Sequence, residues 1–186
     1  MPLIDIKQAG GPAICAFLDM LASAQAEGTR SSPVTRCDGY DVIVSGVDGP
    51  NRFDDFSQHP FASDRKPIEV NLHGLTSTAS GRYQFMLHDW IYYKLLLNLP
   101  DFGPLSQDRW CIQLLKERGA FEMLLDGKLD EAITRCSNLW ASLPGNHYGQ
   151  PQASLCALHT VYHNALEALT RTGDAAVTQT SQGHSS

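Results

Sequence analysis

An α+β fold, mostly helical with one small β-sheet forming a lip or wall, is predicted by three features of the 186-residue sequence. Most of the chain carries apolar residues at helical spacing, recurring at i, i+3, i+4 and i+7. One stretch, "YDVIVSG" at residues 40–46, alternates instead and is rich in Val and Ile. The order, a helix, then the β-element, then several helices, is not the alternating βαβ of a nucleotide-binding sheet. Neither a G-x-G-x-x-G turn nor a Walker loop is present.

The first helix rests on Ile14, Phe17, Leu18 and Leu21 and runs to about Glu27, where Gly28 is placed to stop it. "RSSPVTRCDG" is a polar loop leading into the strand at residues 40–46. "VDGPN" reads as a turn and "RFDDFSQHP" as the returning strand of a hairpin. Residues 64–80, rich in Pro, Ser and Thr, lack a steady period and read as an ordered surface loop. Helical pattern resumes over "RYQFMLHDWIYYKLLLNL", with bulk from Tyr83, Phe85, Trp90, Tyr93 and Leu97. Ser106 and Gln107 open the next helix, closed by Gly119, and a short one follows in "AFEMLLDG". "KLDEAITRCSNLW" sets Leu129, Ala132, Ile133 and Cys136 on one helical face. "ASLPGNHYGQ" is a turn-rich loop, and "ASLCALHTVYHNALEAL" is a final helix. The expected organisation is one domain over residues 1–170, with 171–186 a small, polar, disordered tail.

Composition narrows the function classes. A hydrophobic fraction of 42% and a charged fraction of 18% describe a soluble globular chain with a real core. The net charge of −6 argues against nucleic acid as partner, because phosphate binding needs clustered Lys and Arg. Five scattered cysteines without a C-x-x-C pair point to buried free thiols in a reducing compartment. "GGPAICAFLDMLASAQA" imitates a secretory core, yet "MPLIDIKQA" before it holds one Lys and an Asp, and Asp19 interrupts the apolar run. No export signal and no membrane insertion are therefore expected, since no run nears the roughly 20 apolar residues a span requires.

Several residues carry candidate chemistry. Glu27 in the last turn of a helix opposes the macrodipole, which tends to raise its carboxyl pKa toward the range of a general acid. The same position also suits a solvated surface acid. "STASGRYQF" at residues 77–85 combines small residues and Gly81 with Arg82, Tyr83 and Gln84, either to approach a sugar or amide closely or to cap a helix. "NLWASLPGNHYGQ" has a similar character in Trp140, His147, Tyr148 and Gln150, and also suits a packed turn. His159 and His163 stand at i, i+4 without an H-E-x-x-H base or an evident third ligand, so no metal or other cofactor is expected. No G-x-S-x-G elbow supports a serine hydrolase.

Taken together, "AFLDMLA", "EGT", "GYDVIV", "FSQHP", "STASGRYQF", "LSQD", "LLKERGA", "RCSNLWASLPG" and "YGQ" resemble, in order and spacing, the phage lambda endolysin family. The resemblance covers about residues 16–150. It implies a lysozyme-like lytic transglycosylase, a mostly helical lobe and a small β-sheet lip flanking a substrate cleft. Glu27 matches the catalytic acid. Tyr40 and Asp41 would begin the lip, and Gly81, Arg82, Tyr83 and Gln84 would line the floor. Trp140, Ser142, Leu143, Pro144, Tyr148 and Gln150 would lie along the other side, with Asp41 and Arg82 alternatively an ion-pair element. Two departures stand out: small residues precede Glu27 where the family has an aromatic and a Ser, and the turn "VDGPNRF" differs.

The resemblance further implies cleavage of the β-1,4 bond between N-acetylmuramic acid and N-acetylglucosamine in peptidoglycan, leaving a 1,6-anhydromuramoyl end. A hydrolytic muramidase is the alternative. It would need a second carboxylate, roughly 5 to 5.5 Å from the first for retention or about 6.5 to 9.5 Å for inversion, to be sought among Asp38, Asp41, Asp54 and Asp55. An inactive glycan-binding module is the third reading. The expected setting is the host cytoplasm until a holin opens the membrane, then the periplasmic peptidoglycan, with a monomer as the working unit.

Overall fold

The computed structural model describes residues 1–24, 28–148 and 151–180, with side chains described as far as Arg171. After a short helix α1 (Ile6–Ala9), capped by the Asp5 carboxylate on the backbone N–H groups of Lys7 and Gln8, comes α2 (Pro12–Ala24). Every residue of α2 from Ile14 to Ala22 is buried, so it runs through the core rather than over it. Each fully buried Leu or Phe on it contributes about 1.5–3 kcal/mol. The apolar run that imitates a leader is thus the centre of the fold. A 3-10 turn, Thr29–Ser31, follows.

The β-element is two hairpins, not one. Strand β1 (Val42–Gly46) pairs antiparallel with β2 (Gly49–Arg52), Ile43 opposite Asn51 and Gly46 opposite Gly49. The connection is only Val47 and Asp48, so the return strand is "GPNR", and "RFDDFSQHP" beyond Arg52 is irregular chain. Within residues 64–80, expected as loop, a second hairpin forms from β3 (Ile68–Glu69) and β4 (Thr76–Ser77). Strands of two residues leave no periodicity to read. The hairpins are joined by backbone bonds from Val47 N to Glu69 O (2.9 Å) and Val44 N to Ala79 O (2.9 Å).

The helical lobe comprises α3 (Leu87–Leu96), α4 (Pro104–Glu117), α5 (Ala120–Leu125), α6 (Leu129–Cys136) and α7 (Leu155–Thr180). Helix α3 starts five residues later than its pattern suggested, because Gln84 has φ +54° and breaks the helical path. Helix α4 opens on Pro104 at its first turn, two residues before Ser106, as the missing proline N–H permits. Leu129, Ala132, Ile133 and Cys136 of α6 are all buried, as their spacing predicts. Helix α7 packs against α2 and continues to Thr180, ten residues into the segment expected as a tail. No proline interrupts that segment, and Gly173 alone is a weak breaker. Of the five free thiols, Cys15, Cys111 and Cys136 are buried and Cys37 is half-buried, whereas Cys156 is exposed, contrary to expectation.

An aromatic cluster joins the lip to the helical lobe. Phe85 stacks on Trp110 at 4.0 Å, and Phe102 meets Trp90, Phe53 and His59. His59, fully buried, sets Nε2 3.0 Å from Phe85 O and accepts at Nδ1 from Phe61 N at 3.3 Å. Those partners define a neutral ring with its proton on Nε2. Burial pushes its pKa down to about 4.

Candidate active site

The loop Gly81–Phe85 is held from four directions. Gly81 has φ +79°, and a Cβ there would lie 2.2 Å from the Gln107 amide oxygen, so only glycine fits. That oxygen accepts from Arg82 N at 2.9 Å, while Gln107 Nε2 donates to Tyr40 O (3.0 Å) and Phe102 O (2.9 Å). One turn of α4 therefore ties the loop to the lip.

Next to Gln107, buried Asp108 collects four donors. Its Oδ1 accepts from the hydroxyls of Tyr40 (2.7 Å) and Tyr83 (2.6 Å), and its Oδ2 from Leu3 N and Ile4 N, both at 2.9 Å. Burial still pushes this carboxyl above its ordinary range, and burial together with its charge raises both tyrosine hydroxyls.

A charge network anchors the other side. Buried Arg82 pairs with Asp19 of α2 and, at 2.8 Å, with Asp38. Arg30 bridges the same two aspartates at 3.2 Å each, and the N-terminal ammonium lies 2.8 Å from Asp38. Burial works to raise the Asp38 carboxyl, but the ammonium, Arg82 and Arg30 outweigh it and hold it below the usual range.

Glu27 lies outside the described residues, as do its neighbours Gln25 and Ala26. The chain on both sides of that gap is fixed. Thr29 Oγ1 shares its proton between Ala22 O (3.1 Å) and Arg82 O (2.8 Å). Gly39, at φ +92°, packs so closely that a Cβ would stand 2.9 Å from Thr29. The end of α2, the 3-10 turn and the Gly81–Phe85 loop thus meet at one place.

The residues expected along a cleft divide into two groups. Tyr40, Asp41, Arg82, Tyr83 and Leu143 are buried, so as side chains they brace the site from within instead of facing solvent. Asp41 accepts from the Thr35 hydroxyl (2.5 Å) and Arg36 N (2.8 Å), closing the loop before the lip. The physical reason is polar satisfaction: an Arg or Tyr enclosed by the core must spend its donors there. Trp140 is also buried and donates from Nε1 to Tyr83 O at 2.9 Å. Ser142 is buried with no partner for Oγ among the described residues. Pro144 is half-buried, and exposed Tyr148 donates to Asn138 O at 2.8 Å. Gln150 lies outside the described residues. Buried Trp140 and half-buried Gln84 come together in a pocket of ≈ 190 Å³ between the loop, α3 and α4.

Of the remaining acids, exposed Asp54 pairs with Arg52, and Asp55 accepts from Ser57 N at 2.8 Å, a bond that holds its carboxyl low. His159 meets Asp130 at 2.5 Å on the far helices, and among the described residues no cluster of three metal-binding side chains occurs. Sequence reasoning did not assign roles to Asp19, Gln107 or Asp108. Asp19 carried a signal, being the one charge in an apolar helix, which demands a buried partner. Asp108 and Gln107, inside "LSQD", carried none.

Comparison with known proteins gives a consistent result. A family model described as Endolysin matches residues 15–169. The endolysin of Escherichia phage P2 is 52% identical over 166 residues, covering 89% of this chain and 97% of that protein. The endolysin of Escherichia phage lambda is 49% identical over 136 residues, covering 73% and 79%. A solved structure, bacteriophage lambda lysozyme complexed with a chitohexasaccharide, superposes with a TM-score of 0.73 at 43% identity, covering 89% of this chain and 97% of that one. A second structure of lysozyme from bacteriophage lambda gives 0.65 at 39%, covering 92% and 97%.

Proposed function

Because the chain belongs to the Endolysin family and has the lysozyme-like α+β fold, we propose that it cleaves the glycan strands of peptidoglycan as a lytic transglycosylase, with Glu27 as catalytic acid. The lambda lysozyme neighbour was solved with a chitohexasaccharide, which supports a glycan strand as the ligand here. In the proposed reaction, protonated Glu27 donates to the glycosidic oxygen leaving with N-acetylglucosamine, while oxocarbenium character grows at the muramoyl anomeric carbon. The resulting carboxylate then takes the proton of the muramoyl 6-hydroxyl as that oxygen bonds to the anomeric carbon. One C–O bond breaks, one forms, the acid is regenerated and no water is consumed. A nucleophile already carried by the substrate gains from proximity.

The observation that favours this over hydrolysis is the state of Asp38 and Asp41, the two candidate second carboxylates nearer in sequence. Asp38 is neutralised by two arginines and an ammonium, and both oxygens of Asp41 are occupied by donors inside a turn. Asp41 is buried away from solvent and Asp38 anchors three cations, an arrangement that favours a reaction needing no second carboxylate. Asp54 and Asp55, each held by a near neighbour in sequence, stay the alternative for a hydrolytic muramidase.

The position of Thr29, bonded to both Ala22 and Arg82, supports Glu27 acting beside Gly81–Gln84. Among the described residues no helix is long and apolar enough to cross a membrane. The proposal includes accumulation in the host cytoplasm, passage to the wall through a holin lesion, and action as a monomer. Mass spectrometry of muropeptides released from purified peptidoglycan tests the chemistry. The wild type should yield 1,6-anhydromuramoyl ends, and Glu27→Gln should lose them, a fall of about 10²–10⁴ in rate. Reducing muramic acid ends would establish hydrolysis instead.

A further inference from the structure

The pocket that Gln84 and Trp140 share has a second wall whose charges the glycan reaction does not use. Asp89, in the first turn of α3, and Arg118, at the end of α4, both line it, yet their charged atoms do not approach within 4.0 Å of each other. Asp89 meets only the neighbouring His88, at 3.1 Å, and the Arg118 guanidinium has no anionic partner among the described residues. The adjacent acid, Glu117, is already engaged by the Tyr93 hydroxyl (2.7 Å) and Gln113 (2.9 Å). Tyr93 and Trp110 supply aromatic lining to the same pocket.

An anion and a cation that line one aromatic pocket of ≈ 190 Å³ without pairing complement the end of a ligand that carries an ammonium and a carboxylate a few ångströms apart. A bare glycan strand has no such group. The peptide stem of peptidoglycan does, where a diamino acid ends in a free α-ammonium and α-carboxylate. We propose that this pocket is a stem-peptide site: Asp89 receives the ammonium and Arg118 the carboxylate. The assignment rests on peptidoglycan being the substrate, and it makes the enzyme a reader of the peptide as well as the sugar.

The test is a titration of ¹⁵N-labelled full-length protein with L-alanyl-γ-D-glutamyl-meso-diaminopimelate, following the tryptophan indole resonances. Saturable shifts at Trp110 and Trp140 are expected. Arg118→Ala and Asp89→Asn should each weaken the dissociation constant about tenfold or more. Acetylating the diamino acid's free amine should weaken wild-type binding as Asp89→Asn does. A flat titration, or affinity unchanged in both variants, would overturn the proposal. The companion measurement is the ratio of cleavage rates on intact wall glycan and on glycan stripped of stems by an amidase, which should fall toward one in Arg118→Ala. If the wild type cleaves neither glycan, the enzymatic reading has failed, while the titration still decides the pocket.

Discussion

Acidification should destabilise this protein through one buried imidazole. His59 is 0% exposed, donates from Nε2 to Phe85 O and accepts at Nδ1, so protonation would force a second N–H against a backbone donor at 3.3 Å. Its pKa falls from 6.5 to about 4 on folding. Between those values the unfolded chain binds a proton that the native chain refuses, so stability rises with pH across that window. The contribution is fully present above the unfolded value and lost as pH falls toward the folded one. A drop of about 2.5 units at ~1.36 kcal/mol each amounts to roughly 3 kcal/mol, against a total of about 5–15 kcal/mol for a native domain. The assay is urea unfolding at stepped pH, read by tryptophan fluorescence, for wild type and His59→Gln. Asp38, whose carboxyl is held below 3.8, loses its contribution only below this window. Asp108, raised above 3.8, works in the opposite sense, and both act equally in the two proteins, so the difference isolates His59. The variant should start less stable at neutral pH and show a curve flatter by about 3 kcal/mol. Parallel curves, or a His59 ring that titrates near 6.5 by NMR, would refute the reasoning.

Gly81→Ala should lower stability by about 2 kcal/mol or more, because it combines a positive φ with a Cβ in the Gln107 amide. A thermal melt should show a fall of roughly 4–8 °C, and an unchanged midpoint would contradict the packing. Asp19→Asn removes the α2 partner of Arg82 and Arg30. Leaving a buried guanidinium undercompensated should cost about 3 kcal/mol in urea unfolding, less if Asp38 takes up both. Among the thiols, exposed Cys156 should react with an aromatic disulfide reagent at once. Cys15 and Cys136, pushed up by burial to about 11 and about 12, should react only with denaturant, along with fully buried Cys111. Rapid native labelling of three or more thiols would mean the core is looser than described.

What could be read from sequence follows the range of the interactions involved. Helix α6 was legible because its burial repeats every three or four residues within one element. The start of α3 was not, because the turn at Gln84 exists to satisfy contacts with α4 and β1, remote in the chain. The second hairpin was hidden by strands two residues long. For the candidate site, the motif "STASGRYQF" marked a loop that the fold brings to the end of α2, with Arg82 serving as the ion-pair element that was its alternative reading. Arg82 and Tyr83 look like hands offered to a ligand, yet their partners Asp19 and Asp108 lie 63 and 25 residues away. Asp19, a charge isolated in an apolar helix, identifies the buried partner that Arg82 takes.

The inward turn of Arg82 and Tyr83 leaves a division of labour in the loop. Gly81 N donates to Val42 O, Arg82 N to Gln107, and Phe85 N to Ser80 O, while the carbonyls of Arg82, Tyr83 and Phe85 accept from Thr29, Trp140 and His59. Backbone from 81 to 85 is therefore fixed by β1, the turn after α2, α4 and the Trp140 loop at once. An apolar core could bury the same area, but it would tolerate several loop directions, because dispersion contacts carry little orientation. Hydrogen bonds and ion pairs penalise each wrong direction with an unsatisfied donor or an unpaired charge. The buried Asp19–Arg82 and Asp108–tyrosine networks are costly to desolvate, and they define a single geometry where α2, the lip and α4 meet. In the proposed reaction a sugar ring sits against the Glu27 carboxyl, and a loop fixed in one geometry serves that reaction because a small misplacement of the reacting groups costs rate.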